Sequence, residues 1–299
     1  MSPTRIRIVK RTPLKRVSVI GLGLMGGSLA LALRRAGLAA HIVGCGRQVL
    51  VESAMEMGAI DSGCQDVCEA VAGSDYVFLC TPVETSITLM SQIAPHLGEG
   101  AVVTDVGSTK ETFATAARQI FGAQAAARVL PGHPLAGREL SGLENASADL
   151  YDNCVWVLTP LSTRNAAELT APQQALVAAL QTIKARVMFS TPQEHDRILA
   201  YTSHLPQMLS TALSLTLAEA FAADDPALQI HAGGLRTMLR LAASEPKMWE
   251  QIAASNQLNI ATALELMEAM LKSLRESLGQ PEFRAKFEQA REFAKFVKS

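Results

Sequence analysis

The stretch Arg16–Ser28, RVSVIGLGLMGGS, constrains this chain more than any other. A short apolar run, Val17–Ile20, leads into Gly21-Leu22-Gly23-Leu24-Met25-Gly26, and the apolar-rich Leu29–Leu33 follows. That order reads as strand, glycine-rich turn and helix, the setting in which G-x-G-x-x-G binds a dinucleotide. Gly21 lets the chain turn tightly, Gly23 lets the backbone approach a pyrophosphate, and Gly26 lets the helix pack closely on the strand. The free N–H groups at the helix start, around Leu24 and Met25, then face the phosphates. The bland alternative is a plain strand–helix turn in an α/β protein.

With 299 residues, 48% of them hydrophobic and 18% charged, the chain can bury a large core in one big or two ordinary domains. A net charge of −1 argues against a general nucleic-acid binder. No apolar run reaches the roughly 18–20 residues of a membrane span, and Glu219 interrupts the greasy segment 211–223. The N-terminus carries Arg5, Arg7, Lys10, Arg11, Lys15 and Arg16 without the apolar region of a secretory signal. Residues 1–15 therefore read as a solvated basic leader. Five cysteines, an odd number, do not make a disulfide framework. Cys64-x₃-Cys68 lacks a second ligand pair, so no metal site is expected. A reducing cytoplasm is the expected compartment, and no membrane partner is implied.

Ala40–Gly44 reads as a second strand ending in Cys45-Gly46-Arg47-Gln48. An NAD-binding fold usually places an acid about 20 positions past the glycine turn, on the ribose 2′-OH. Here Gly46 stands in that place and Arg47 follows, a side chain that can pair with a 2′-phosphate bidentately. The pattern points to NADP and leaves NAD open. Glu52–Met57 reads as a helix closed by Gly58. Asp75–Thr81 reads as a buried strand ended by Pro82, which puts Thr81 and Pro82 beside the ligand crevice. Ile87–Leu97 is a helix, Ala101–Asp105 a strand, Glu111–Ile120 a helix and Arg128–Leu130 a short strand. Asn153–Leu158, Pro172–Thr182 and Arg186–Phe189 make a further strand–helix–strand series. Strands alternating with helices imply a Rossmann-type, doubly wound, mainly parallel sheet over residues 16–191. From Gln193 the apolar residues recur at helical spacing, as in Leu258, Thr262, Leu266, Met270 and Leu274. Residues 192–299 thus read as an all-α domain, part of whose apolar surface suits a homodimer interface.

Three clusters could carry chemistry: Asp105-Val-Gly-Ser108-Thr-Lys110, Gly132-His133-Pro134, and Ser203-His204-Leu-Pro206 with Arg236 and Arg240. Ligands of such folds sit at strand ends. Between Gly132 and Pro134, His133 reads as a loop residue outside any packed element. A histidine near a nicotinamide can take a hydroxyl proton as hydride leaves the carbon, and Ser108 could share that hydroxyl. Taken bare, a loop histidine is more often solvated or structural, and a loop serine is a commonplace turn residue.

In these motifs the sequence resembles the prephenate/arogenate (cyclohexadienyl) dehydrogenase family of tyrosine biosynthesis. The resemblance is carried by GLGLMGGS (21–28), DVGSTK (105–110), GHPLAGRELSG (132–142), SHLPQ (203–207) and GGLRTMLRLAASEPKMW (233–249). It implies oxidative decarboxylation, in which a ring C4–OH is oxidised, hydride passes to NAD(P)⁺ and the ring carboxylate leaves as CO₂. By position, His133 matches the catalytic histidine and Ser108 the serine that orients it and the hydroxyl. His204 matches a substrate-binding histidine, Arg240 the carboxylate-gripping arginine, and Glu139 an acid at the active-site mouth. Gln207, Gly233 and Trp249 match positions around the substrate. Gly21, Gly23, Leu24, Met25, Gly26, Gly46, Arg47, Gln48, Thr81, Pro82 and Asp105 match the cofactor side.

The sequence also departs from the family. Gly46 with Arg47 replaces a common Asp, as in NADP-using members. Thr237, three residues before Arg240, stands where an Asp is frequent, which leans towards prephenate or broad substrate use. A stand-alone dehydrogenase is expected, without a mutase before residue 16 or a regulatory domain after residue 299. Two rivals remain at this point. One is a β-hydroxyacid-type dehydrogenase, disfavoured because no lysine lies between Gln193 and Ala243. The other is a non-catalytic NADP sensor on the same scaffold.

Overall fold

The computed structural model describes residues 14–137, 140–162, 168–222 and 224–298. They form two compact units. One comprises the described residues up to Arg197 with Ser244–Ser255, the other Ile198–Ala243 with the residues from Asn256 onward.

The first unit is built on β1 (Leu14–Ile20), β2 (Ala39–Cys45), β3 (Ser62–Cys64), β4 (Tyr76–Leu79) and β5 (Val102–Asp105). Their order in the sheet is β3-β2-β1-β4-β5, every pair parallel. Successive side chains feed opposite faces. Val17, Val19, Phe78 and Val102 enter one apolar cluster, and Ile20, Val77, Leu79 and Val103 enter the other. Helices α1 (Leu24–Arg35), α2 (Gln48–Glu56), α3 (Val67–Val71), α4 (Val83–Ile93) and α5 (Glu111–Phe121) connect the strands. The strand order reverses between β1 and β4, which opens a crevice at their carboxyl ends.

Leu14 and Lys15, read with the basic leader, belong to β1, and Leu14 is buried. β3 and α3 leave no signal in the sequence, both being too short to carry a period. The strand expected at Arg128–Leu130 is also corrected. Helix α6 (Ala125–Arg128) ends there, and only Val129 bridges to β5, through Val103. The remaining strands form a separate mixed sheet, ordered β6 (Gly132–Leu135), β7 (Val155–Leu158) and β8 (Arg186–Phe189). β6 is antiparallel to β7, and β7 is parallel to β8 across α7 (Ala171–Thr182). Thr170 and Gln173 start α7 with a reciprocal capping box.

Helix α8 (Pro192–Leu199) continues into one π-helical turn, Ala200–His204, and then α9 (Leu205–Ala220). The second unit also holds α10 (Gly233–Leu239), α12 (Gln257–Glu276) and α13 (Pro281–Lys298). Helix α11 (Pro246–Ser255) groups with the first unit instead. Ile260 and Ala263 form the buried face of α12, while Leu258, Leu266 and Met270 on its predicted apolar stripe are exposed. Among the described residues no helix is long and apolar enough to cross a membrane.

Candidate active site

The glycine turn has the geometry its sequence demands. Gly21 has φ +99°, a left-handed conformation, and a Cβ there would lie 2.8 Å from the Cys80 carbonyl oxygen. A Cβ on Gly26 would lie 2.0 Å from the Gly21 oxygen, so α1 reaches β1 only with glycine at this position. Gly23 caps α1, and a Cβ on it would meet nothing within 4 Å. The first turn of α1 carries no acid and no side-chain cap. Its N–H groups, at Leu24, Met25 and Gly26, lack intrahelical acceptors. A cavity of about 480 Å³ lies beside this turn, lined among others by Ile20, Gly46, Asp66 and Thr81. Cys45 lines it as a neutral thiol, pushed up to about 12 by burial.

Arg47 is exposed at the N-cap of α2, and its side chain has no partner among the described residues. The Gln48 amide instead donates to Glu52 Oε1 at 2.7 Å. Thr81 Oγ1 is bonded to Ser86 at 2.8 Å, and Pro82 caps α4. The glycine cradle, the open helix terminus and the adjoining cavity fit a dinucleotide.

Asp105 is a carboxylate fully buried at the end of β5. Its carboxylate accepts the N–H of Gly107 at 2.9 Å and of Gly132 at 3.1 Å, and it pairs with the Lys110 ammonium. Lys110 is itself fully buried and sits over the Phe113 ring. The Asp105 carboxylate is thus engaged by the chain's own donors, and a cofactor-side role for this position rests on the family resemblance alone. One carboxylate thus ties the turn that carries Ser108 to the strand that carries His133.

His133 was read as a loop residue; it lies in β6, opposite Val157, and is 8% exposed. Gly132 and Pro134 look like turn signals, but β6 is an edge strand, where a missing proline N–H costs no ladder bond. His133 Nδ1 lies 2.9 Å from His195 Nε2, and His195 Nδ1 lies 2.7 Å from Asp196 Oδ1. Neither His195 nor Asp196 stands out in the sequence, because their burial and their contacts with His133 and the start of α5 appear only after folding. A second cavity, of about 320 Å³, is lined among others by Met25, Pro82, Ser108, Lys247 and Gln251. Lys247 and Gln251, on α11, were also missed. Trp249 lies on the same helix and is partly buried.

In the second unit, His204 is buried on the π-helical turn, a distortion frequent at functional sites. Its Nδ1 accepts from Asn256 Nδ2 at 3.2 Å, and Asn256 Oδ1 in turn accepts from Asn259 at 2.8 Å. That orientation leaves the proton of neutral His204 on Nε2, as a donor. The Gln207 amide is engaged by the Leu241 carbonyl at 2.8 Å. Gly233 opens α10, and Arg240 lies exposed at its C-cap. Glu139 lies outside the described residues.

A parallel nucleotide-binding sheet with this glycine turn, and a histidine and a serine held beyond its strand ends, defines a nicotinamide-dependent oxidoreductase. The comparisons narrow the class. The family model for the prephenate dehydrogenase nucleotide-binding domain matches residues 29–189, and that for its dimerization domain matches residues 191–295. The chain belongs to the prephenate dehydrogenase family. It is 31% identical to the prephenate dehydrogenase of Lactococcus lactis over 88% of this chain and 70% of that one. It is 28% identical to the cyclohexadienyl dehydrogenase of Zymomonas mobilis over 89% of each. The structure of Aquifex aeolicus prephenate dehydrogenase with hydroxyphenyl propionate and NAD⁺ superposes with a TM-score of 0.82 at 30% identity, covering 97% of this chain and 98% of that one. These matches do not favour the β-hydroxyacid or sensor readings.

Proposed function

We propose that the chain oxidatively decarboxylates prephenate or arogenate. The observation that carries this reading is the joint anchoring of the Ser108 turn and the His133 strand on Asp105, in a chain of this family. His133 takes the proton of the ring C4–OH, and Ser108 holds that hydroxyl in line. When bound, NAD(P)⁺ supplies the acceptor for the C4 hydride. As the C4 carbonyl forms, the ring carboxylate departs as CO₂ and its electron pair completes the aromatic ring. Arg240 grips a substrate carboxylate through its fork of donors, and the Nε2–H of His204 supplies a further donor. Glu139, Gln207, Gly233 and Trp249 surround the substrate on the family resemblance alone. Thr237 supports prephenate or broad use, since it offers no carboxylate to a substrate ammonium.

NADP is the proposed cofactor, because Gly46 stands where an NAD enzyme places an acid and the adjacent Arg47 is exposed, its side chain without a partner among the described residues. Arg47→Glu is expected to lower the NADP/NAD ratio of kcat/KM by about 100-fold, the value of a charge-assisted pair replaced by repulsion. An unchanged ratio would remove Arg47 from cofactor selection. The proposed assembly is a cytoplasmic homodimer, supported by the dimerization-domain match and by Leu258, Leu266 and Met270, which are 84%, 52% and 50% exposed on α12.

The test is a steady-state assay of prephenate or arogenate, each with NAD⁺ or NADP⁺. Turnover led by NADP⁺ supports both parts of the reading. Turnover with NAD⁺ alone keeps the reaction and overturns the cofactor. Absence of turnover in folded, nucleotide-binding protein overturns the reaction.

A further inference from the structure

We propose that His195 and Asp196 are positioning residues that lock His133 in one tautomer, with its proton on Nδ1 and its basic lone pair on Nε2. The inference rests on His133 being the base of the proposed reaction, but its structural part is independent of any substrate.

The chain of contacts begins at the N-terminus of α5. Asp196 Oδ1 accepts the Lys110 N–H at 2.8 Å, and Oδ2 accepts the Glu111 N–H at 2.9 Å. Both oxygens thus face the positive end of a helix of 11 residues. An ionised carboxylate only accepts hydrogen bonds, so the 2.7 Å contact with His195 Nδ1 requires the proton on that nitrogen. A neutral His195 then presents a lone pair at Nε2. The 2.9 Å contact between His195 Nε2 and His133 Nδ1 requires a donor, and only His133 Nδ1–H supplies it. The lone pair of neutral His133 is left on Nε2.

Burial makes this directional chain strong. His195 and Asp196 are each 1% exposed, so water does not compete for these contacts. The order is fixed from the backbone outward: helix terminus, carboxylate, imidazole, imidazole. A carboxylate that orients a catalytic imidazole is a known device; here a second imidazole is interposed between them. When His133 takes the C4–OH proton at Nε2, its Nδ1–H bond to His195 persists and strengthens, since the donor ring then carries the charge. No group needs to turn during the step.

The experiment is long-range ¹⁵N NMR of histidine-labelled full-length protein at a pH where the rings are neutral, with His133→Asn identifying the His133 signals among six histidines. The expected result is Nδ1–H for His133 in the wild type. His195→Gln keeps an acceptor for that N–H and is expected to keep the tautomer, with kcat within about tenfold of wild type. His195→Leu removes the acceptor. It is expected to shift His133 towards Nε2–H and lower kcat by about 100-fold, with substrate KM and NADP Kd within about twofold. Nε2–H for His133 in the wild type would overturn the proposal whether or not the leucine variant folds. An unchanged tautomer in a folded leucine variant would overturn it too. A protein that shows the expected tautomers but turns over neither prephenate nor arogenate would keep this inference and fail the functional reading.

Discussion

Replacing His133 with asparagine is expected to lower kcat by about 10³-fold, within the range a positioned general base contributes. Nicotinamide-nucleotide affinity is expected to stay within about twofold, because the glycine turn and the α1 terminus are untouched. The two effects separate because His133 lies on β6, in the mixed sheet, while the cofactor cradle lies on β1 and α1. Asparagine is chosen over alanine because the site is 8% exposed and a cavity there would confuse stability with chemistry. The acid limb of the kcat/KM profile is expected to vanish with the imidazole, since protonation of His133 is what removes the base. Steady-state rates across pH, with nucleotide binding measured on the same samples, check both. A variant that retains kcat within tenfold and keeps its acid limb would remove His133 from proton transfer.

How the site could be read from the sequence differed from element to element. The glycine turn was fully legible, because each glycine answers a local steric demand that the flanking strand and helix make visible. Ser108 and His133 were legible as residue types, but not in their setting. The local Gly–His–Pro pattern suggested a loop, and only pairing with β7, more than 20 residues away, makes it a strand. The setting of Asp105 is hidden for a related reason: its strand-end position suggests a ligand, while its donors Gly107, Lys110 and Gly132 become neighbours only once two loops fold together. His195, Asp196 and Asn256 were invisible. Their roles come from contacts behind the substrate-facing side chains that have no fixed spacing in the sequence, 62 residues apart for His133 and His195 and 52 for His204 and Asn256. The exposed stripe on α12 carried the expected period, but periodicity does not say which face of a helix meets its own chain and which a partner.

The buried ion pair between Lys110 and Asp105 supplies the largest stability effect. Lys110→Met is expected to destabilise the protein by about 3–5 kcal/mol, the cost of leaving a buried charge without its partner. For a chain of this size that corresponds to a fall in melting temperature of about 5–8 °C. Methionine fills the space of the lysine stem and keeps its packing on Phe113, so the loss is electrostatic rather than a cavity. Asp105→Asn should be destabilising as well, since it strands the ammonium. The double variant Asp105→Asn/Lys110→Met removes both charges and is expected to be more stable than either single variant, a coupling that urea unfolding of all four proteins measures directly. Activity should not return with stability. An amide at position 105 cannot accept from both Gly107 and Gly132 as the carboxylate does, because one of its two ends is a donor. The turn of Ser108 and the strand of His133 would then lose their common anchor, and kcat of the refolded double variant should stay well below wild type. A double variant that recovers full turnover would show that Asp105 serves the ion pair alone and does not hold the two segments in register.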